Sequence, residues 1–382
     1  MKKIPLWKLK RESQRLLKNV GMLPYQALEY YILTSYYDLK VSRLRRSHAG
    51  EVPLTNEAAI YLIYPSNGLL GSHLQMLRQL NMHDISPILV SNLPLSKQDM
   101  AALKPLCNRV IERPNVGYDF GGYRDGVLGI SGLLHDLDRL YLLNDSCWMI
   151  DQNRSWFDEV REKNVDFCGA SAHLGLSSRE VRELIWSDED VFPCFHYTAY
   201  ALSIGSRILT DAGFLKFWRK FHLSNDKNAT VRRGEIGLTQ WVLRRKKFSH
   251  LATCPLTNLD KEISSLDDNE LDALLRNLVL PSHPKLRKEL SEILDRNTSS
   301  LNEVRHERIE FVLKAISSSG LSYALPYYTT HYRKFQFVKK SPLWLSRSGS
   351  DTTMLLLSKM TGPMGLQAAE EGKSIRPPDW PV

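Results

Sequence analysis

The chain has 382 residues, of which 43% are hydrophobic and 24% charged, and its formal net charge is +9. This composition is that of a globular protein with room for one large α/β domain and additions. No apolar run reaches the length of a membrane span, and no continuous apolar stretch follows the basic N-terminus, so we expect neither a transmembrane helix nor a secretory signal. Five widely spaced cysteines without a CxxC pair favour a reducing compartment and argue against structural zinc.

The positive charge is concentrated at the N-terminus. Residues 1–50 contain eleven Lys and Arg against three acids, and the rest of the chain is nearly neutral. This distribution disfavours a nucleic-acid binder. Two helices are predicted here, from Pro5 to Gly21 and after Pro24. Aromatic residues beside Lys and Arg suit an anionic membrane surface; the alternative is a helical pair packed on the main domain with a solvated basic face.

A doubly wound sheet is predicted to begin near residue 56. Ala59–Tyr64 is a continuous apolar run bounded by Pro65-Ser-Asn-Gly68, which is typical of a buried parallel strand. Further strands and helices alternate after it, which predicts a mostly parallel sheet flanked by helices. The predicted strands cover 88–91 and 109–112, and the predicted helices cover 72–80 and 97–106.

The central stretch runs from Asn115 to Ser146. Its first half, Asn115 to Arg124, combines glycines, aromatic residues and Asp119, a composition suited to close backbone approach and a polar ligand. Its second half is a short apolar run that stops on Asn144-Asp145-Ser146. In open α/β sheets ligands bind at the carboxyl ends of the strands. We therefore interpret this stretch as the floor of a nucleotide-sugar site.

The remainder of the chain is predicted to close this domain. A helix at 155–163, strands at 165–169 and 198–203, and helices at 214–222 and up to Arg245 complete it. Four regions result: a basic helical segment at 1–50, the main domain at 56–260, a helical region at 261–340, and a tail at 341–382. The tail is rich in Pro, Gly and Ser, and we expect it to be poorly ordered.

Three motifs together resemble the rhamnan synthesis F family of polysaccharide glycosyltransferases. They are Asn115-x-Gly-Tyr-Asp-Phe-Gly-Gly-Tyr123, Leu-Leu-Asn144-Asp-Ser146 and Val-Asp166-Phe-x-Gly169. Supporting matches are Tyr64-Pro-x-x-Gly68, Ser91-Asn92 and Glu235-Ile-Gly-Leu238, so that the resemblance covers about residues 56–250. It implies a GT-A-like α/β fold with helical additions at both ends, a nucleotide-diphosphate sugar donor, and rhamnose as the first guess for the sugar.

Asp145 is the predicted metal ligand. A diphosphate leaving group carries charge that Mg or Mn, held by a carboxylate at a strand end, neutralises. The GT-A pattern Asp-x-Asp is replaced here by Asn144-Asp145-Ser146, so the expected cation is either weakly bound or dispensable. The alternative is a turn in which these side chains cap the following segment.

The predicted donor-binding residues lie on both sides of this turn. Asp119 is expected to accept hydrogen bonds from sugar or ribose hydroxyls, and Arg124 to bind a phosphate. The alternative is that Asp119 caps a helix and Arg124 lies exposed in its first turn.

Further donor contacts are expected at strand ends and loops. Tyr64 and Asn92 follow the first two strands, where an aromatic ring can stack on a base and an amide can bind its edge. Routine strand-end packing and a turn are the alternative for both. The remaining donor-binding predictions are Asn115, Gly117 and Asn144.

Glu235 is the predicted catalytic base. Its place before a helix resembles that of the acidic residue in the Glu-Asp motif of inverting GT-A enzymes, which takes the proton of the acceptor hydroxyl. Asp166 is the competing base. The alternatives are a Glu that favours a helix macrodipole and an Asp that caps a strand. His196, between Phe195 and Tyr197, is interpreted as a packed residue.

These predictions describe an inverting hexosyltransferase on the cytoplasmic face of the inner membrane, held there by residues 1–50. It would move a sugar from a nucleotide-diphosphate donor to a lipid-linked or polysaccharide acceptor in cell-surface glycan assembly. The alternative from another class is a non-catalytic scaffold of a polysaccharide-assembly complex, which the missing second carboxylate at 144–146 keeps open.

Overall fold

The computed structural model describes residues 29–175, 184, 186–187, 193–280, 284–295 and 301–380. The predicted helix from Pro5 to Gly21 and the start of the helix after Pro24 lie outside the described residues. Among the helices that are described, none combines the length and apolar character that crossing a bilayer requires.

A large sheet forms the centre of the described protein, with strand order β1-β4-β3-β2-β5-β9-β7-β10 and β8 paired to β7. Two further strands, β6 and β11, pair with each other. The strands are β1 (Arg46–Ala49), β2 (Glu57–Ile63), β3 (Ile85–Ser91), β4 (Arg109–Glu112), β5 (Arg139–Asn144), β6 (Cys147–Met149), β7 (Phe167–His173), β8 (His196–Tyr197), β9 (Ala201–Gly205), β10 (His250–Cys254) and β11 (Phe337–Lys339).

Most neighbours in this sheet are parallel. β2 pairs in parallel with β3 and β5, β3 with β4, and β7 with β10, whereas β1 and β9 run antiparallel to their neighbours. The apolar runs predicted as strands are buried along their length, because helices cover a parallel sheet. The carboxyl ends of β2, β3, β4 and β5 therefore meet at one edge.

Helices flank the sheet and extend it at both ends, which confirms the predicted α/β class. A π-helical turn, Glu29–Leu33, precedes the first helix, and a second one, Arg232–Ile236, joins α8 to α9. The helices are α1 (Thr34–Leu39), α2 (Gly71–Met82), α3 (Lys97–Leu103), α4 (Tyr118–Gly129), α5 (Trp156–Lys163), α6 (Ser206–Leu209), α7 (Ala212–Arg219), α8 (Lys227–Val231), α9 (Gly237–Leu243), α10 (Leu259–Ser265), α11 (Asp268–Arg276), α12 (Pro284–Asp295), α13 (Leu301–Ser319), α14 (Leu321–Ala324), α15 (Pro326–His331), α16 (Pro342–Leu345), α17 (Arg347–Ser358) and α18 (Pro363–Ile375).

The glycine-rich motif brings α4 close to the sheet. A Cβ atom at Gly122 would lie 2.4 Å from Leu62 Cδ1, and one at Gly126 would lie 2.7 Å from Ile60 Cγ2. Gly117 precedes the helix with a φ of 83°, a left-handed conformation that favours glycine. These glycines thus place the first turn of α4, with Asp119, against the strand ends.

The tail beyond Ser341 differs from its prediction, because it folds into α16, α17 and α18. Its apolar residues form a second core with the chain around β6, including Trp148 and Ile150. Within this core, Lys340 Nζ lies 2.7 Å from Glu371 Oε1, and both side chains are almost fully buried. The order of the tail comes from contacts with residues about 200 positions earlier, which local composition does not show.

Candidate active site

Asp145 follows the last residue of β5 and is held at the edge of the sheet. Its backbone N–H donates to Leu62 O over 3.1 Å. Its Oδ2 atom accepts the Tyr64 N–H over 2.8 Å and lies 3.2 Å from Nε2 of the buried His73. Burial opposes ionisation of this carboxyl, but His73, the Tyr64 N–H and Lys340 outweigh burial and lower its pKa. Asp145 is therefore an anion fixed at the carboxyl ends of β2 and β5.

Asn144 connects the two central motifs. Its Nδ2 donates to Asp119 Oδ2 over 3.1 Å, and its Oδ1 accepts hydrogen bonds from Ser146 N at 3.1 Å and Ser146 Oγ at 2.6 Å. The turn predicted as an alternative for residues 144–146 is thus present, and it forms part of the same site. The structure places the predicted donor-binding residues Asn144 and Asp119 in direct contact.

Asp119 lies in the first turn of α4, near enough to two other carboxylates for their charge to act on it. Burial, together with the charges of Glu235 and Asp145, raises its pKa to about 6, against the opposing effect of Lys339 and Lys227. We call Asp119, Asp145 and Glu235 the acidic cluster. The same three carboxylates raise the pKa of Tyr123, after burial as the largest cause. The three carboxylates of the acidic cluster are therefore close enough for their charges to interact.

Glu235 reaches the acidic cluster because the residue before it, Gly234, packs closely against α4. A Cβ atom at Gly234 would lie 2.3 Å from Phe120 Cγ, so glycine lets the π-helical turn pack against α4. Glu235 Oε2 lies 3.4 Å from Ala199 N, which donates to it, and 3.8 Å from His196 Nε2. The helical run begins at Lys227, eight residues earlier, so the alternative of a helix N-terminal Glu is wrong. The π-helical turn is a rare conformation that is frequent at functional sites.

Lys339 and Lys340 enter the site from the C-terminal region, and sequence reasoning missed both. Lys339 pairs with Cys147 in the β6–β11 ladder. Its Nζ donates to Ser146 Oγ over 3.1 Å and lies 4.2 Å from the centre of the Tyr200 ring. The adjacent lysines at 339 and 340 were the local feature that could have suggested an anion site. Nothing in the nearby sequence indicates that this segment pairs with residues 147–149. His73 was missed for the same reason.

Three predicted donor-binding residues, Tyr64, Asn92 and Asn115, have different environments. Tyr64 is 47% exposed, so its ring is open to a ligand. Asn92 is buried, and its Oδ1 accepts a hydrogen bond from Arg113 Nη1 at 2.6 Å. Asn115 is exposed in the loop before α4. Tyr118, which sequence reasoning did not select, is exposed next to Gly117 with a φ of 49°. Tyr64 and Tyr118 are thus the exposed aromatic residues at this edge among those described.

Arg124 has a different role from the one predicted. Its Nη1 and Nη2 donate to the two carboxylate oxygens of Asp38 at 2.8 and 2.7 Å, and its Nε donates to Trp218 O at 3.1 Å. The side chain is buried rather than exposed in a first turn. All three guanidinium nitrogens are engaged, so Arg124 ties α4 to α1 and α7, and the prediction of a phosphate contact is wrong.

Asp166 is not placed to act as a base in this site. It precedes β7, and its backbone O accepts a hydrogen bond from Gly205 N, the partner of Arg139 at the start of β5. That end of β5 is about 17 Å from Asn144 along the strand. Asp166 Oδ2 lies 2.8 Å from Arg207 Nη1 and accepts the Ser249 N–H at 2.8 Å. The carboxylate thus caps the opposite edge of the sheet.

Few side chains at this site could ligate a divalent cation. Across the described residues there is no group of three His, Cys, Asp or Glu side chains that could hold a metal ion. Asp145 has one oxygen committed to the Tyr64 N–H and His73. Mg²⁺ commonly binds through one or two carboxylates together with substrate phosphates and water. The site therefore fits a cation that binds together with phosphates, with Asp145 as the protein ligand.

Comparisons with known proteins match part of the chain that forms this edge of the sheet to one family model. Residues 87–265 match the family model "Rhamnan synthesis protein F", which confirms the resemblance indicated by the motifs. The match contains the motifs around Asp119, Asp145 and Glu235 and excludes Tyr64 and Lys339.

One curated relative and two solved structures are similar to parts of the chain. The relative is "Uncharacterized protein y4gN" of Sinorhizobium fredii (strain NBRC 101917 / NGR234), 33% identical over 193 residues that cover 50% of this chain. They cover 47% of the relative, so the chain spans about half of its length. Core-mannan synthase A from Aspergillus fumigatus, solved in its Mn/GDP form, has a TM-score of 0.31 at 8% identity over 54% of this chain and 74% of its own. The mannosyltransferase Ktr4p from S. cerevisiae has a TM-score of 0.26 at 9% identity over 49% and 65%.

Proposed function

We propose that this chain, which matches the rhamnan synthesis protein F family over residues 87–265, is a glycosyltransferase that uses a nucleotide-diphosphate sugar. The observation that carries the proposal is the acidic cluster beside Lys339 at the carboxyl ends of the parallel strands. This edge is where open α/β sheets bind ligands. A lysine next to ionised carboxylates supplies the two charges that the reaction needs, one for the leaving diphosphate and one for the acceptor proton.

The proposed mechanism follows from the positions of Lys339, Asp119 and Glu235. The donor diphosphate lies beside the Asn144–Ser146 turn, where Lys339 Nζ counters the negative charge that develops as the glycosidic bond breaks. Asp119 accepts hydrogen bonds from hydroxyl groups of the donor. Glu235, whose side chain is 24% exposed, takes the proton of the acceptor hydroxyl as that oxygen attacks the anomeric carbon from the opposite side. This order of events inverts the anomeric configuration.

A divalent cation, Mg or Mn, would be held by Asp145 and would neutralise charge on the diphosphate. Within the described residues, Asp145 is the proposed protein ligand of the cation, and no group of three possible ligands surrounds it. The affinity of the site for the cation is therefore expected to be weak when no nucleotide sugar is bound. Lys339 supplies part of the same neutralisation from the protein itself.

The acceptor and the location are part of the proposal. We propose rhamnose as the transferred sugar, because the matching family model is described as "Rhamnan synthesis protein F", and a lipid-linked or polysaccharide acceptor. Attachment to the inner face of the membrane is supported by apolar side chains that are exposed on the first helical turns: Tyr31, Ile32, Tyr36 and Leu39. Basic side chains follow them along the chain, as at a lipid interface.

Calorimetry of donor binding tests the proposed activity. Wild type and Asp145→Ala are titrated with a panel of nucleotide sugars, with and without Mg²⁺, and Asp136→Ala, which removes an exposed carboxylate elsewhere, is the control. Binding of one donor that weakens in Asp145→Ala alone would support the glycosyltransferase. If no donor binds to folded protein, the non-catalytic scaffold becomes the better explanation.

Flotation with lipid vesicles tests the membrane proposal separately. The full chain is expected to float with vesicles that contain anionic lipid and to stay behind with neutral ones. Equal flotation with both, or none with either, would remove the inner-membrane assignment without affecting donor binding.

A further inference from the structure

A groove rich in Lys and Arg lies on the other side of the helical run that carries Glu235. It has two lobes with volumes of about 460 and 340 Å³, and Phe217, Trp241 and Arg245 line both. Six cationic side chains line the two lobes, and we call this surface the basic groove. They are Lys216, Lys220, Arg232, Arg233, Arg244 and Arg245.

The cations of the basic groove have few acidic neighbours among the described residues, although Arg245 is near enough to Asp211 to help lower the pKa of that carboxyl. None of its six cations forms an ion pair with Asp or Glu in the part of the chain that the structure describes. Arg233 instead lies 4.8 Å from the centre of the Tyr30 ring, and Arg245 lies 4.0 Å from that of Trp241. The two guanidinium groups also donate to carbonyl oxygens, Arg233 to His222 O at 3.4 Å and Arg245 to Trp241 O at 3.0 Å. Aromatic rings and carbonyl groups orient these arginines but leave their charge available to an anion.

The walls between these cations are aromatic. Tyr30 stacks on His222 with ring centres 4.0 Å apart, and Phe217 lies 6.3 Å from Trp241. Tyr31, the next residue along, is 72% exposed. A ligand that uses both features carries several negative charges at one end and a hydrocarbon group next to them. A diphosphate lipid has this chemistry, with the charge on its phosphate groups and the hydrocarbon chain beside them.

The basic groove and the acidic cluster are neighbours across one helix. Arg233, Gly237 and Trp241 line the groove, whereas Glu235 on the same helical run contacts Ala199 and His196 on the other side. The helical run is about 10 Å across. A glycan attached to a diphosphate in the groove therefore needs to pass around this helix, over a path longer than its diameter, to bring a hydroxyl to Glu235.

We propose that the basic groove binds the diphosphate of a lipid-linked acceptor, with the first part of its hydrocarbon chain against Phe217 and Trp241. This inference rests on the proposed glycosyltransferase activity and assigns the charged end of its acceptor. It also gives the cations at 216–245 a role distinct from the donor site, which lies at the strand ends.

Binding of farnesyl diphosphate to the full chain tests the inference. The double variant Lys216→Ala/Lys220→Ala removes two exposed cations of the basic groove, and Lys285→Ala/Lys373→Ala removes two exposed cations elsewhere as a matched control. We expect the dissociation constant to rise about tenfold or more in the groove variant and to stay at the wild-type value in the control. Farnesol and inorganic pyrophosphate are expected to bind more weakly than farnesyl diphosphate.

Three results would overturn the inference. These are equal affinity in the two double variants, pyrophosphate binding as tightly as farnesyl diphosphate, and a single-stranded oligonucleotide displacing the lipid at lower concentration. Donor calorimetry on the same groove variant separates the two proposals. In wild type, donor binding without farnesyl diphosphate binding would refute the groove alone, and the absence of any donor binding would refute the proposed activity; in the groove variant, donor binding is expected to stay at the wild-type value.

Discussion

Asn144 donates to Asp119 across 3.1 Å, and this hydrogen bond joins the end of β5 to the first turn of α4. It connects two sequence motifs 25 residues apart and lies among the carboxylates of the acidic cluster. Because the donor is a neutral amide, it orients Asp119 without cancelling the repulsion from Asp145 and Glu235. Burial, together with this repulsion, raises the pKa of Asp119 to about 6.

Replacement of Asp119 by Asn should change how stability depends on pH. Since the pKa of Asp119 is raised from 3.8 to about 6, the folded protein binds this proton more tightly than the unfolded chain does. Stability is thus lost as pH rises from about 4 to about 6. Asp119→Asn removes that loss, and at pH 8 it should raise the free energy of unfolding by about 3 kcal/mol, with little difference near pH 4. Urea denaturation at both pH values measures this, and a variant less stable than wild type at pH 8 would contradict the assignment.

Glu235→Gln should separate proton transfer from donor binding. The amide keeps an oxygen for the Ala199 N–H but cannot take a proton from an acceptor hydroxyl. We expect kcat to fall by about 10²–10⁴-fold, the usual contribution of a general base. The dissociation constant of the donor should stay within error of wild type. Turnover close to that of wild type would exclude Glu235 as the base.

Lys339→Ala tests whether this lysine binds the leaving group. Its Nζ donates to Ser146 Oγ, in the turn where the diphosphate is placed. Removal of one cation from this position should lower kcat and the affinity for a nucleoside diphosphate by about tenfold or more each. Affinity for the nucleoside without phosphates should not change, and Lys339→Arg should recover part of the loss. The exposed Lys334 provides the control, as Lys334→Ala. Equal losses for nucleoside and nucleoside diphosphate would mean that Lys339 acts by supporting the fold.

Glu371→Ala should destabilise the protein although it lies eleven residues from the C-terminal end of the sequence. Glu371 accepts hydrogen bonds from Ser72 and Trp148 and pairs with Lys340, which is buried. Removal of the carboxylate leaves Lys340 charged and unpaired, which typically costs about 3–5 kcal/mol. Lys373→Ala, at an exposed position on the same helix, should change stability by less than about 0.5 kcal/mol. Similar denaturation midpoints for both variants would mean that α18 does not pack as described.

Arg124→Ala distinguishes a structural role from donor binding. The bidentate pair with Asp38 predicts a loss of about 2–3 kcal/mol in the free energy of unfolding. Asp38→Ala should account for part of the same loss, so that the effects of the two substitutions are not additive. Donor affinity of folded Arg124→Ala protein should match wild type. Weaker donor binding by protein that is as stable as wild type would restore the phosphate-binding prediction.

The sequence by itself indicated the central strands β2 to β5 and the end of each at which polar residues stand, but not β1, β6, β8, β10 or β11. Strands buried on both faces must be continuously apolar, so Ala59–Tyr64 and Arg139–Leu143 were recognisable without a structure. In a parallel sheet the residue after such a run lies at the carboxyl ends of the strands, and the structure has Tyr64 and Asp145 there. Asp166, which precedes its strand, belongs to the other edge for the same reason.

Only the tertiary structure decided which distant side chains meet there. Lys339 reaches Ser146 because β11 pairs with β6, and Arg124 turns away from the site because Asp38 and Trp218 satisfy its guanidinium. These partners are separated by 86 to 193 positions along the chain. Periodicity and turn composition report the local preferences of a segment, whereas a charge or hydrogen-bond partner so far away is specified by how the core packs as a whole.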